Sequence, residues 1–199
     1  ILAASTHKDE DELIIAAFIK LQGEFQDLKL IIVPRHPDRA KSIQTLVNKN
    51  GLIGDISSSI PQNFNNNNVI IIQATGLMRE LYSKASIAFI GGSLFKKYGG
   101  HNIIEAAAEK CPFIVGPYTH NFEDIVDLFS KNNSCIQLDQ KKDIFNAFKT
   151  LLNDSKLRDD MAISALNICT DNKGSTKKQY TKILNTIRGA GNETSNSNN

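Results

Sequence analysis

Leu13, Ile14, Ala17, Phe18 and Leu21 recur at the spacing of one helix face until Gly23 ends the run. Thr6-His7-Lys8-Asp9 supplies a capping-type start, so a short apolar strand passes directly into a first helix. The next apolar run, 28–33, stops at Pro34-Arg35-His36-Pro37, the pattern of a strand buried on both faces that ends in a loop. A helix is predicted over 40–50 and a weak strand within 51–60. The low-complexity stretch NFNNNN, 63–68, reads as an exposed loop.

The alternation then continues, with strands predicted at 69–72, 87–90, 112–115 and 134–138. Helices are predicted between them at 77–85, 102–110 and 122–131. Further helices follow at 141–153, 156–170 and 175–188, and the tail GAGNETSNSNN, 189–199, reads as disordered. Strands and helices alternating through short connections imply an α/β fold with a mainly parallel, doubly wound, Rossmann-like sheet. Ligands on such sheets bind beyond the carboxyl ends of the strands. Three polar segments fall there: Pro34 to Pro37, Thr75 to Met78, and Gly91 to Asn102.

Composition narrows the function classes. The 199 residues are 41% hydrophobic, which suits one well-buried domain, and the chain opens at an element boundary, as one lobe of a longer protein would. Lys and Arg number 23 against 21 Asp and Glu, so a net charge of +2 gives no general case for nucleic acid. An anion site has to be local. Cys111, Cys135 and Cys169 show no C-x-x-C spacing, which argues against a disulfide framework or zinc and leaves them as small core residues. No apolar run approaches the roughly 20 residues of a membrane span, and no signal-peptide pattern opens the chain.

The densest chemistry lies in FIGGSLFKKYGGHNIIEAAAEK. Glycines allow close approach of a ligand to the backbone, and helix-start amides attract anions, so Gly99-Gly100-His101-Asn102 is a candidate phosphate cradle. Asn102 and Glu105 share a helical face, where a carboxylate can accept hydrogen bonds from ribose hydroxyls beside that phosphate. The competing reading is that the glycines only make turns and Glu105 only complements the helix start. The spacing matches neither G-x-G-x-x-G nor G-x-x-x-x-G-K-[ST].

Arg35 ends a strand and can fork onto a phosphate or carboxylate, while His36, like His7, His101 and His120, shows no metal spacing. Ser5 and Thr6 either cap the first helix or touch substrate, with capping favoured. Lys96 and Lys97 read as solvated, and Lys173, Lys177, Lys178 and Lys182 as a solvated face.

The segments ASTHKDEDE, LIIVPRHPDR and TGLMRELYSKASIAFIGGSLFKKYGGHNIIEAAAEKCPFIVGPYTHNFEDI together resemble the C-terminal half of 3-deoxy-D-manno-octulosonic acid (Kdo) transferase, a bacterial lipopolysaccharide enzyme. The resemblance runs from about residue 3 to about residue 185. It implies the C-terminal lobe of a two-lobed GT-B glycosyltransferase, with residues 1–188 as the CMP-Kdo donor domain and the N-terminal, acceptor-binding domain outside this chain. It further implies inverting transfer to a lipid A precursor at the cytoplasmic face of the inner membrane.

The nucleotide-sugar site implied by the resemblance comprises Pro34, Arg35, His36, Gly76, Leu77, Met78, Ser93, Gly99, Gly100, His101, Asn102 and Glu105. The catalytic base would come from the N-terminal domain, and this chain alone would bind donor without turning it over. Loop amides and Arg35 would stabilise the departing phosphate without a cofactor or metal ion. The family often carries Asp where this chain has Gln73, which puts the local cytidine contacts in question. Two other readings remain at this stage: a UDP- or GDP-sugar transferase or epimerase lobe, and a non-catalytic nucleotide-binding module.

Overall fold

The computed structural model describes residues 1–64 and 68–171. Most of the asparagine stretch, the helix expected at 175–188, the lysines from Lys173 onward and the tail at 189–199 lie outside the described residues.

Seven strands form one sheet: β1 (Leu2–Thr6), β2 (Leu30–Pro34), β3 (Gly54–Ser57), β4 (Val69–Ile72), β5 (Ala88–Ile90), β6 (Phe113–Val115) and β7 (Ile136–Gln137). Their order is β3-β4-β2-β1-β5-β6-β7. Every neighbouring pair is parallel. The helices are α1 (Lys8–Gln22), α2 (Ala40–Lys49), α3 (Met78–Lys84), α4 (Ile104–Ala108), α5 (Glu123–Lys131), α6 (Ile144–Asn153) and α7 (Ser155–Asp171).

The strands lack polar alternation because both faces of the sheet are covered. Ala3, Ile32, Ile71, Phe89 and Ile114 point to one face, where α1, α2 and α6 supply Ile14, Phe18, Ile43 and Phe148. Leu2, Ala4, Val33, Ile70, Ile72, Ile90 and Phe113 point to the other, against Leu81 and Tyr82 of α3, Ala106 of α4 and Phe129 of α5. Helix α7 serves both layers, with Met161 in the first core and Ala165 in the second. Cys111 and Cys135 are buried free thiols, and burial pushes both up to about 12.

From β1 the chain builds outward on one side through β2, β4 and β3. It then returns to the other side of β1 to place β5. The direction of winding therefore reverses between β1 and β5. The two strands are pressed together where they end. Gly91 N–H donates to the Ala4 carbonyl at 2.7 Å. A Cβ added to Gly91 would stand 2.5 Å from the Ser5 carbonyl oxygen.

The structure departs from the pattern-based boundaries mainly at α4. It spans Ile104–Ala108 where 102–110 was expected, because the Asn102 side chain accepts the Ile104 N–H and the chain leaves the helix by a left-handed Lys110 at φ 56°. Strand β7 shortens to two residues.

Gly91→Ala is expected to destabilise the fold by about 1–3 kcal/mol, the usual cost of overpacking, since its methyl would meet backbone that has no rotamer to yield. Urea unfolding checks this; an unchanged midpoint would contradict the close approach.

Candidate functional site

Four loops at the carboxyl ends of β1, β2, β4 and β5 build the candidate site, and the first turn of α1 ties two of them to β1. Ser5 sits at φ 55° within a β-bulge, an uncommon left-handed conformation for a non-glycine residue at the end of a central strand. His7 follows as N-cap of α1. Neither Ser5 nor Thr6 provides the side-chain cap that the sequence suggested. Glu10 turns back to accept the His7 N–H at 2.9 Å, completing a capping box.

Glu10 does more than cap. The loop after β5 curls around its carboxylate, so Oε2 also accepts Gly92 N–H at 2.8 Å, and Oε1 accepts Ser93 and Leu94 N–H at 3.0 Å each. Glu10 is 0% exposed. Burial pushes its carboxyl upward, while the four backbone donors favour the carboxylate. The ionised form is the one that fits, because every neighbour of its oxygens among these contacts is a donor.

Asp11, beside it, is paired with Arg39, whose guanidinium also donates to the Thr6 carbonyl at 2.8 Å. The same carbonyl accepts Arg35 N–H at 2.9 Å, so Asp11 and Arg39 fix the turn after β2. Burial pushes Asp11 up to about 6, against the opposing pull of Thr6 and Arg39. Sequence reading missed both acids, since Asp and Glu in the first turn of a helix ordinarily complement its dipole from the surface. The available signal was their place directly after a strand end, one turn from a glycine-rich partner loop.

His7 and His101 meet across the reversal point with their Nε2 atoms 3.0 Å apart, so one ring donates and the other accepts. Tyr98 stacks on His7 with centroids 3.8 Å apart, and His36 approaches edge-on at 6.0 Å. Burial, then His101, His36, Arg39 and Arg35, push His7 down to about 4. Burial, then Arg35 and His36, lower His101 as well. Lys97 is exposed, as the sequence suggested, and is also paired with Asp9 and placed over the Tyr98 ring.

These contacts lie where β1 and β5 end. Two open clefts lie beside them. One, of about 160 Å³, is lined by Ser5, Pro34, Arg35 and the turn from Ala74 to Met78. The other, of about 670 Å³, is lined by Gly76, Met78, Arg79, Glu105, Ala108 and Glu109. They share Gly76 and Met78, so Arg35 and Glu105, which are far apart in sequence, line neighbouring clefts on either side of one turn. Arg35 is exposed and makes no ion pair among the described residues.

Of the residues singled out from sequence, Pro34, Arg35, Gly76, Leu77, Met78 and Glu105 line these clefts. His36, Gly99, Gly100, His101 and Asn102 frame them without lining either. Ser93 is 1% exposed, donates its hydroxyl to the Ile90 carbonyl at 2.6 Å and accepts Gly116 N–H at 2.7 Å, so it braces the loop internally. In the glycine bend, Gly100 N–H is given to the Gly92 carbonyl at 2.7 Å, and a Cβ at Gly99 would meet Asn121 and His120 at 2.5 and 2.6 Å, so the two glycines are packed closely against the protein. Gln73 lines neither cleft. No cluster of His, Cys, Asp and Glu suited to a metal ion occurs among the described residues.

His7 is expected to titrate near its lowered value of about 4. With a native pKa below the ordinary 6.5, its contribution to stability is present above that value and lost as pH falls toward 4. Imidazole NMR titration, with the stability difference between wild type and His7→Gln over the same range, checks the sign; a normal titration would contradict the buried pair.

No protein-family model matches the chain. It is 32% identical to the 3-deoxy-D-manno-octulosonic acid transferase of Haemophilus influenzae over 89% of its own length and 42% of that enzyme's. The C-terminal CMP-Kdo binding domain of WaaA from Acinetobacter baumannii superposes with a TM-score of 0.77 at 27% identity, covering 84% of this chain and 86% of that one. WaaG, a glycosyltransferase involved in lipopolysaccharide biosynthesis, shares the fold at a TM-score of 0.57 and 14% identity, covering 85% of this chain and 42% of WaaG. The parallel sheet and its helices are those of the C-terminal domain of a GT-B glycosyltransferase. The chain spans well under half of the curated transferase. Similarity over most of its length and the match to a separately solved C-terminal domain make it a homologue of the C-terminal domain of the 3-deoxy-D-manno-octulosonic acid transferases.

Proposed function

We propose that this chain is the donor-binding lobe of an enzyme that transfers Kdo from CMP-Kdo to a lipid A precursor with inversion. The observation that carries the reading is a pair of neighbouring clefts that share Gly76 and Met78, with exposed Arg35 lining one and exposed Glu105 lining the other. A nucleoside monophosphate carries an anionic phosphate and a ribose diol a few ångströms apart, and those two side chains suit them. Arg35 offers a planar fork of donors with no competing carboxylate. Glu105 offers two acceptor oxygens to a diol. The turn Gly76-Leu77-Met78 lies between them, where Gly76 holds a left-handed backbone at φ 80°.

In the reaction an acceptor hydroxyl attacks the anomeric carbon of Kdo while the bond from that carbon to the phosphate oxygen of CMP breaks. The electron pair leaves with the phosphate, and the hydroxyl proton passes to a carboxylate base on the N-terminal domain, outside this chain. Inversion follows from attack opposite the leaving group. Arg35 meets charge that grows on the phosphate as the bond breaks, the electrostatic role that lowers such barriers. The Gly92–Leu94 amides take no part, because Glu10 already holds them.

The acceptor, and contact with the cytoplasmic face of the inner membrane, belong to the complete enzyme. Among the described residues no helix is long and apolar enough to cross a membrane. On this reading residues 1–188 form the donor domain, which by itself binds nucleotide without turnover. The similarity to a CMP-Kdo binding domain favours a cytidine donor over UDP- or GDP-sugars and over a non-catalytic module.

Calorimetric titration is expected to show CMP binding in preference to UMP and GDP. Glu105→Ala and Arg35→Ala each remove a charge-assisted contact worth about 1.5–3 kcal/mol, a loss of roughly tenfold or more in affinity. Equal binding of all three nucleotides, or wild-type affinity in both variants, would overturn the reading.

A further inference from the structure

We infer that Glu10 is a positioning residue of the donor site: its carboxylate stands in the anion nest of the glycine loop, and this built-in charge fixes His101 and turns the donor's phosphate toward Arg35. The inference rests on the donor-binding reading above.

Three observations combine. The first is saturation: all four hydrogen bonds that Glu10 accepts come from backbone N–H groups, one from its own helix start and three from consecutive residues after β5. Three successive amides converging on a point form the type of concavity that elsewhere binds phosphate. Here an internal carboxylate fills it, and no residual donor of that nest is free for a ligand.

The second is what the loop carries. The Gly92 carbonyl accepts Gly100 N–H at 2.7 Å, and a Cβ on Gly92 would stand 2.9 Å from the His101 ring. The Ser93 carbonyl accepts Tyr118 N–H at 3.0 Å. Movement at residues 92–94 therefore passes directly to His101 and to the segment that leads into Asn102 and Glu105. The third is the neighbouring acid: Asp11, through Arg39, holds the turn that bears Arg35. Adjacent side chains on one helical turn thus set the two walls of the site relative to each other.

A glutamine at position 10 keeps the size but presents one carbonyl oxygen and one NH2. The NH2 would confront amides that are themselves donors, leaving them buried without partners. An alanine empties the nest and leaves all three loop amides unpaired, a vacancy shaped for a small carboxylate.

The test uses Glu10→Ala and Glu10→Gln, with Leu151→Val in the core beneath α6 as a control. CMP affinity is measured by calorimetry, with and without formate against chloride at equal ionic strength. Hydrogen exchange of the Gly92, Ser93 and Leu94 amides is followed alongside. Both Glu10 variants are expected to lose CMP affinity by roughly tenfold or more, as unpaired buried donors imply, beyond anything the core control shows. Formate is expected to restore both affinity and amide protection in Glu10→Ala, and neither in Glu10→Gln.

Wild-type affinity in either variant would overturn the inference. So would losses that match the control at equal thermal destabilisation, or an Ala variant indifferent to formate. Should Glu10→Ala fail to fold, Glu10→Gln against the control decides the matter. If wild type itself binds no CMP, the donor reading falls, and the nest assignment then stands or falls on formate-dependent protection of the three amides.

Discussion

A buried negative charge enclosed by backbone amides is the contact on which the rest of this architecture depends. Removing a carboxylate from water is costly unless each lone pair finds a donor. Glu10 finds four, three of them from the loop after β5. The result is directional in a way that apolar packing is not. The cores on the two faces of the sheet hold the layers together, but they would tolerate small shifts of a loop at the sheet's rim. The amide contacts would not. Asp11 does the corresponding work toward β2 through Arg39, so the first turn of α1 links the loops on both sides of the central strand.

That linkage changes where a ligand can go. The general expectation for an open parallel sheet is a ligand in the crevice at the point of reversal, held by loop amides and a helix start. In this chain the His7–His101 pair, the Tyr98 stack and the Glu10 carboxylate gather where β1 and β5 end. The glycines bring the backbone in close, as the sequence suggested, with the protein itself among what they approach. Clefts open at the turn after β4 and the edge of α4. On the proposed reading, binding there falls to side chains, with Arg35 and Glu105 as the recognising charges.

The doubly wound fold was legible because its signal is periodic. Unbroken runs such as Ile70 to Ile72 and the helical spacing of Leu13 to Leu21 follow from burial on two faces of a sheet or one face of a helix, and each can be read locally. That Arg35 and Gly76 would line one cleft was legible through the same logic, since strand ends in a parallel sheet share one rim. The roles of Glu10, Asp11 and Ser93 were not. Each is defined by a partner 23 to 84 residues away, and HKDEDE looks the same whether its acids face solvent or a nest of amides. The packing of the glycine bend was hidden for a related reason: the sequence shows that Gly99 and Gly100 allow a close approach, but the β6–α5 loop that makes it lies about 20 residues further along the chain.

Charge placement also bears on how a nearly neutral chain could serve the anionic ligand proposed for it. A net charge of +2 over 199 residues gives little long-range attraction. Locally the balance is different. Asp11 satisfies Arg39 and Asp9 satisfies Lys97, while Arg35, on the same rim, is left without a carboxylate among the described residues. The neighbouring histidines His7 and His101 are held toward their neutral forms by burial and by the surrounding positive groups. They add hydrogen-bonding capacity without competing as cations. Selective pairing thus leaves one guanidinium of this rim open in a cleft whose neighbour, across the Gly76–Met78 turn, carries an exposed carboxylate, so that on the proposed reading recognition depends on the placement of two opposite charges and not on the total.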